Sequence, residues 1–438
     1  MRKTKIVVVG AGAAGLLAAL DLARAGNEVT ILEARCRAGG RIYSLDPDEF
    51  GYPAQGGAEF VHGPAPLTRE IAEEAGMTLS PRRGEVWNVR GDAITQDGGI
   101  VGWMAAVSEK LIALERDMTI AEFLTTYFGG KAHAELRRAV ERMVEGYDAA
   151  DPRLASTFGL RDEWMFDGFG ETMKIKEGYG ALIRFLETQC RESGVGIRLN
   201  RKVTRIEIRD GKARLDCADG EAHEAHKVVV TVPLPLITEI DYLPAQPEKI
   251  AAARNIGFGG VIKFLLKFKT RWWIGAQGQD LSRMFILRTR ERIPVWWTQY
   301  PLESPVLTGW LSGPKAQTYF EAPPQDVLAM ALASLAKSFG MSVQALKDEL
   351  VASKIVDWPA DPNARGAYSY ATLATKAARQ ELRRPVDGIL FFAGEALYTG
   401  KEAGTVEAAL ASGREAARAV AIAADNQAAY SGVMRTEG

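Results

Sequence analysis

Only three cysteines occur in the 438 residues, Cys36, Cys190 and Cys217. They are far apart and form no CxxC pair, which argues against a disulfide framework and a thiolate zinc site. Histidine is almost as scarce, at four residues. His223 and His226 come close together in DGEAHEAHK, but this is not HExxH on a helix, and they are expected to be exposed on a hairpin rather than to hold a metal. Charge of one sign is lacking too. Lys and Arg number 54 against 55 Asp and Glu, a formal net charge of -1 without long single-sign runs, so nothing draws the chain to nucleic acid or an anionic membrane. There is no internal repeat or low-complexity tract, and no uninterrupted apolar run reaches the ~20 residues that span a bilayer. The start, MRKTKIVVVGAGAAGLLAALDLA, is basic then apolar like a signal peptide, but the glycines within it offer another explanation. The expectation is a soluble, cytoplasmic protein, with monomer and homodimer both open. What remains is ordinary globular composition, 47% hydrophobic and 25% charged, and enough chain for two or three domains and a large core.

KIVVVGAGAAGLLAALDLARAGNEVTILEA reads as strand, glycine turn, helix, strand. Ile6 to Val9 are continuously apolar, as a strand buried on both faces should be. Gly10, Gly12 and Gly15 fit GxGxxG: the first for the tight turn, the second for close approach of a pyrophosphate, the third for helix–strand packing. The helix that follows aims its N-terminal amides at the phosphates. Glu33 closes the second strand, where a carboxylate accepts from ribose hydroxyls. Gly39, Gly40 and Arg41 come directly after, a glycine pair and a fixed cation suited to closing over a pyrophosphate from the other side. A plain NAD domain has no need of these three residues. The pattern predicts an α/β fold with a Rossmann-like dinucleotide-binding domain.

These blocks, with AQGGAEFVHG at 54–63, GGVIKFLLKF in the middle and GILFFAGEALYTGKEAGTVEAALASGREAARAV near the end, resemble the flavin-dependent amine oxidase family, which includes monoamine oxidases, polyamine oxidases and histone lysine demethylases. EGYGALIRFLE and VVVTVPLPLI match family habits more loosely. The resemblance implies FAD at the N-terminal motif, with Ala13 and Ala14 opening the helix, Glu33 and Ala34 at the adenosine ribose, Arg35 alongside and Arg41 near the pyrophosphate. It places the backbone of Val203 at the adenine and Gly57, Ala58 and Glu59 beside the cofactor. Gly394 and Glu395 close over the pyrophosphate and ribityl, while Gly404, Thr405 and Val406 start a helix pointing at the flavin. Where monoamine oxidases carry the cysteine that attaches flavin, this chain has Ala367, so the FAD is expected to be non-covalent.

Lys263 poses the sharpest question. In GFGGVIKFLLKF, alternation puts Ile262, Phe264, Leu266 and Phe268 on one face and Val261, Lys263, Leu265 and Lys267 on the other. On spacing alone that second face is wet and both lysines are solvated. By resemblance, Lys263 instead reaches the flavin N5 locus through a water and takes a catalytic role, while Lys267 stays solvated. The implied reaction is oxidation of a small-molecule primary or secondary amine. A hydride equivalent passes to flavin N5, the imine is hydrolysed, and O2 becomes hydrogen peroxide. Tyr368 matches one wall of the family's aromatic cage, its alternative being a structural tyrosine in a turn. Thr405 stands where the second ring would be, and Tyr398 is a candidate to fill that gap.

GAEFVHG leans toward polyamine oxidases. Glu59 and His62 are candidates to meet a second amine, against the plainer readings of a salt-bridged loop residue and a satisfied, partly buried histidine. Glu59 stands where related amino acid oxidases tend to carry an arginine, which argues against α-amino acids. One member of each pair Trp272–Trp273 and Trp296–Trp297 is a candidate for the cavity wall, core packing being the alternative. Two other functions fit the same motifs, a flavin-dependent desaturase of an apolar substrate and a silent flavoprotein used as a binding module. The FAD domain is expected to be discontinuous, 1–65, 180–245 and 385–438. The substrate domain, of mixed sheet and helices, is expected at 66–179 and 246–384, mainly helical from about 101 to 165.

Overall fold

A computed structural model describes residues 3–96, 101–167 and 172–436. The expected domain ends at 1–2 and 437–438, and stretches 97–100 and 168–171 of the expected substrate region, lie outside the described residues. A five-stranded parallel sheet runs in the order Leu390–Phe392, Lys227–Val230, Lys5–Val9, Glu28–Leu32, Gly196–Arg198. Its strands therefore come from three separated stretches of chain. Alternation along the central strand splits its contacts. Ile6 and Val8 pack with residues of the helices Ala13–Arg24, Tyr179–Glu192 and Val406–Thr436. Val7 and Val9 pack against a smaller sheet and the helices Pro247–Asn255 and Thr375–Arg383. Both faces are covered, which is why this strand carries no polar residue from Ile6 onward. In the smaller sheet, Val203–Arg209 and Lys212–Cys217 form the hairpin expected at RDGK. Its two turn residues, Asp210 and Gly211, both have left-handed φ, 52° and 75°, as a two-residue hairpin turn requires.

The second large sheet has seven strands, in the order Leu350–Asp357, Val261–Phe268, Val306–Ser312, Val295–Trp297, Met284–Arg288, Glu85–Arg90, Ala93–Thr95. The helix Pro324–Phe339 covers one side. The helices Val101–Ile112, Ile120–Phe128, Ala134–Gly146 and Thr157–Asp167 share a core of their own. Among the described residues no single helix is long and apolar enough to cross a membrane.

The wet face expected for Val261–Phe268 does not exist. Ile262, Phe264, Leu266 and Phe268 enter the core under Pro324–Phe339. On the other face Leu265 packs with Leu45 and Phe50, and Val261 packs with Trp358 and Ala364. Lys263 is 1% exposed. Lys267 alone is half-buried, its Nζ donating to the Glu49 carbonyl at 2.7 Å. The two hairpin histidines are not exposed either. His223 is half-buried in Ala222–Ala225, and His226 Nδ1 accepts from the Lys5 amide at 2.9 Å, tying the hairpin to the first strand.

Candidate active site

The glycine turn, the start of Val406–Thr436, the block 57–63 and the seven-stranded sheet enclose one cavity of about 1010 Å³, large for a single small ligand. At one end, Gly10 adopts φ 106° and the chain turns into Ala13–Arg24. Glu33 is buried, and its carboxylate accepts from the Ala11 amide at 2.7 Å and the Arg35 amide at 2.8 Å, so it braces both loops of the nucleotide end. Arg35 forms a two-pronged ion pair with Asp361 at 2.8 and 2.9 Å. Gly10, Gly12, Ala13, Ala14, Glu33, Ala34, Arg35, Gly39, Gly40 and Val203 all line the cavity. Gly15 does not; it lies beneath the turn, where a Cβ would overlap the Gly10 carbonyl oxygen. At Gly12, by contrast, a Cβ would meet no protein atom within 4 Å. Space is thus kept open where the helix amides point, and the residues fit a dinucleotide.

Midway, Arg41 donates to Glu395 at 2.8 Å and to the Ala367 carbonyl at 2.7 Å. Glu395, 4% exposed, also accepts from Ser369 Oγ at 2.6 Å. Gly57, Ala58, Gly394, Gly404, Thr405 and Val406 border the same space. Thr405 caps Val406–Thr436, its hydroxyl accepting from the Ala408 amide at 3.1 Å, a short polar residue serving the helix end. Tyr398 does not complete an aromatic cage. It lies outside the cavity lining, with its hydroxyl donating to Glu402 at 3.2 Å.

Farther along, Lys263 Nζ donates to Glu59 Oε2 at 2.7 Å and to the Gly57 carbonyl at 3.2 Å, and lies 5.3 Å from the Trp297 ring centroid. Glu59 Oε1 accepts from Lys174 at 2.7 Å and from Trp297 Nε1 at 3.3 Å. Burial pushes the Glu59 carboxyl up, but Lys174 and Lys263 outweigh it and hold it at about 2. Burial also lowers the Lys263 ammonium, against the pull of Glu59. Glu59 is therefore the salt-bridged residue of the two readings left open; with a lysine on each oxygen, it presents no free anion to a second amine. His62 Nδ1 lies 3.3 Å from the Tyr147 hydroxyl. Burial, then Arg82, brings His62 down to about 4, so it is neutral near pH 7. Tyr368 lines the cavity with its hydroxyl donating to the Tyr147 carbonyl at 2.6 Å. Beside it, the buried Asp148 carboxyl is raised well above its usual range by desolvation and by Glu163.

Of the tryptophan pairs, Trp297 lines the cavity while Trp296 is in the core; neither Trp272 nor Trp273 reaches the cavity, both packing under the sheet around Phe268. Sequence reasoning missed Lys174, Asp361, Tyr147, Asp148 and Glu163. Ala139, Arg142, Met143, Gly146 and Tyr147 line the cavity from one helical face, but these residue types form no pattern that the sequence could have shown.

A family model described as flavin containing amine oxidoreductase matches residues 13–421. The lysine-specific histone demethylase 1 homolog 3 of Arabidopsis thaliana is 27% identical over 95% of this chain, which spans only 30% of that protein. Polyamine oxidase 4 of Oryza sativa subsp. japonica is 25% identical over 94% of this chain and 87% of its own length. Among solved structures, the cyclohexylamine oxidase from Brevibacterium oxydans IH-35A superposes with a TM-score of 0.78 at 20% identity, covering 97% of this chain and 100% of that one. At that identity the likeness is one of fold.

Proposed function

Since the chain belongs to the family of flavin-containing amine oxidoreductases, we propose that it oxidises a primary or secondary alkyl amine with oxygen as acceptor. The observation that carries this reading is the buried cation Lys263, held by Glu59 and Gly57 in a cavity continuous with the glycine turn. When bound, FAD supplies the acceptor for a hydride equivalent and passes the electrons on to oxygen. Arg41 with Glu395, Glu33 and the helix amides would hold the cofactor. The fixed ring of Tyr368 walls the site of the amine, whose nitrogen must be neutral to release electron density. Neutral His62 adds no positive charge there. A protonated Lys263 has three N–H donors; two are engaged and the third is left for a water or for oxygen. The polyamine-type substrate suggested by GAEFVHG loses the support of Glu59 and rests on the named relatives and on His62, whose neutral ring in the cavity lining can still accept from a second amine.

Anaerobic titration of the flavin absorbance with a polyamine, an arylalkyl monoamine and a cyclic secondary amine tests the proposal. Bleaching by any of them is expected. A band that survives every amine, at any pH, would return the function to a desaturase or a silent binding module.

The attachment of the flavin has a separate test. Ala367 sits at the cavity with only a methyl side chain, and its carbonyl is taken by Arg41, so this position offers no nucleophile for a covalent bond. Acid precipitation should leave the yellow colour in the supernatant; a yellow pellet refutes non-covalent binding.

A further inference from the structure

Beyond Lys263 the cavity runs along one row of the seven-stranded sheet. Lys263, Trp310, Val295, Arg288 and Asn88 are paired in succession across five strands, and residues in such a row share a face. Lys263 and Arg288 are three strand spacings apart, about 14 Å at 4.7–4.9 Å each. The helix Ala134–Gly146 closes over this row, Trp310 Nε1 donating to the Gly146 carbonyl at 2.8 Å, and it contributes Arg142 to the wall. Arg82 enters across the Phe285 ring, 5.1 Å from its centroid, and is near enough to Arg288 to disfavour the charge of that half-buried residue further.

Among the described residues, Arg82, Arg142 and Arg288 make no ion pair. Four other cavity arginines are paired: Arg35 with Asp361, Arg41 with Glu395, Arg201 with Glu221, and Arg290 with Glu135 at 3.2 Å. All three line one partly desolvated space, where Arg82 disfavours the charge of Arg288 and Arg290 that of Arg142, and their planar forks suit a carboxylate. The acid groups of the cavity lie elsewhere, Asp148 and Glu163 being close enough to Tyr368 to act on its hydroxyl. Carboxyls thus lie beside the proposed amine position, Arg288 lies farther along the row, and Arg82 is near enough to act on both His62 and Arg288.

We infer that the substrate is an amine bearing a carboxylate at the end remote from its nitrogen, an ω-amino acid in type, with Arg82, Arg142 and Arg288 receiving the carboxylate. The inference rests on the amine-oxidase reading. The three strand spacings between Lys263 and Arg288 separate this subsite from the reacting carbon, so an α-amino acid does not fill it.

The test compares ω-aminooctanoate, octylamine and the α,ω-diamine of the same length as reductants of the flavin-loaded protein, in the native chain and in Arg288→Met and Arg288→Lys. The expected result is a kcat/KM for the amino acid tenfold to a hundredfold above that of octylamine, with the diamine last. Arg288→Met should bring the amino acid to octylamine ratio close to one, and Arg288→Lys should keep part of the preference. A diamine or octylamine that outperforms the amino acid overturns the inference, as does a ratio indifferent to Arg288→Met. Octanoate, which has no amine to oxidise, reports the subsite separately through its perturbation of the oxidised flavin spectrum. If no amine bleaches the flavin, the amine-oxidase reading fails. Octanoate binding that weakens at least tenfold in Arg288→Met then still upholds the carboxylate subsite, and binding indifferent to the substitution removes it.

Discussion

Replacing Lys263 with methionine is expected to slow reoxidation of the reduced protein by oxygen about a hundredfold, the effect of removing one preorganised electrostatic group from a reaction centre. Stopped-flow mixing with oxygenated buffer measures that rate; reoxidation unchanged from the native protein would sink the catalytic role of Lys263. A second effect comes from the partner left behind. Glu59 is buried, with Lys263 on one oxygen and Lys174 on the other. Losing one partner of a buried ion pair costs about 3–5 kcal/mol, and the surviving Lys174 favours the low end. The double substitution Lys263→Met with Glu59→Gln should be less stable than Lys263→Met alone, because it also breaks the surviving pair between Glu59 and Lys174, and it should recover none of the oxygen rate. Acid unfolding gives the sign. Glu59 is held at about 2 against an ordinary 4.5, so its stabilisation is complete above about 4.5 and lost as pH falls toward 2. In Lys263→Met that carboxyl titrates higher, and the native protein's advantage over the variant narrows through the same window.

The features legible in the sequence were those whose partners are close along the chain or whose spacing is itself the mechanism. The glycines and Glu33 fall within one strand–helix–strand unit, and the structure puts Glu33 on the amides of Ala11 and Arg35. Partners from far along the chain were not legible. Asp361 meets Arg35 from 326 residues away, and Lys174 meets Glu59 from 115. Neither Asp361 nor Lys174 carried a signal in the sequence. The error over the second face of Val261–Phe268 has the same origin. Alternation assigns residues to faces, but what covers a face is set by Leu45 and Phe50 on one side of the chain and Trp358 and Ala364 on the other. Tyr398 failed as a cage residue because a single loop separates it from Thr405, and spacing does not fix where a loop aims its side chains; Glu402 captures its hydroxyl instead.

Two glycines of one motif should separate folding from cofactor binding when each is changed to alanine. At Gly15 the new Cβ overlaps the Gly10 carbonyl oxygen and crowds Thr231 Oγ, contacts between main chain and a buried turn that cannot rotate away. Gly15→Ala is expected to cost about 3 kcal/mol or more, the upper end of overpacking penalties, whether or not flavin is present. At Gly12 the backbone is ordinary, φ -75° and ψ 179°, and the Cβ meets no protein atom within 4 Å. Nothing in the chain opposes Gly12→Ala, so the flavin-free variant should unfold in urea within about 0.5 kcal/mol of the native protein, as substitutions away from special features do. The same methyl, however, projects into the space that the helix amides and Gly40 leave at the turn, where a pyrophosphate has to approach the backbone. FAD titrated into the stripped protein should bind Gly12→Ala at least about a hundredfold more weakly, roughly 2.7 kcal/mol. Equal FAD affinity in the native protein and Gly12→Ala would mean that the cofactor phosphates do not rest on this turn. A stable Gly15→Ala would mean that the helix sits less tightly on the first strand than the Gly10 contact requires.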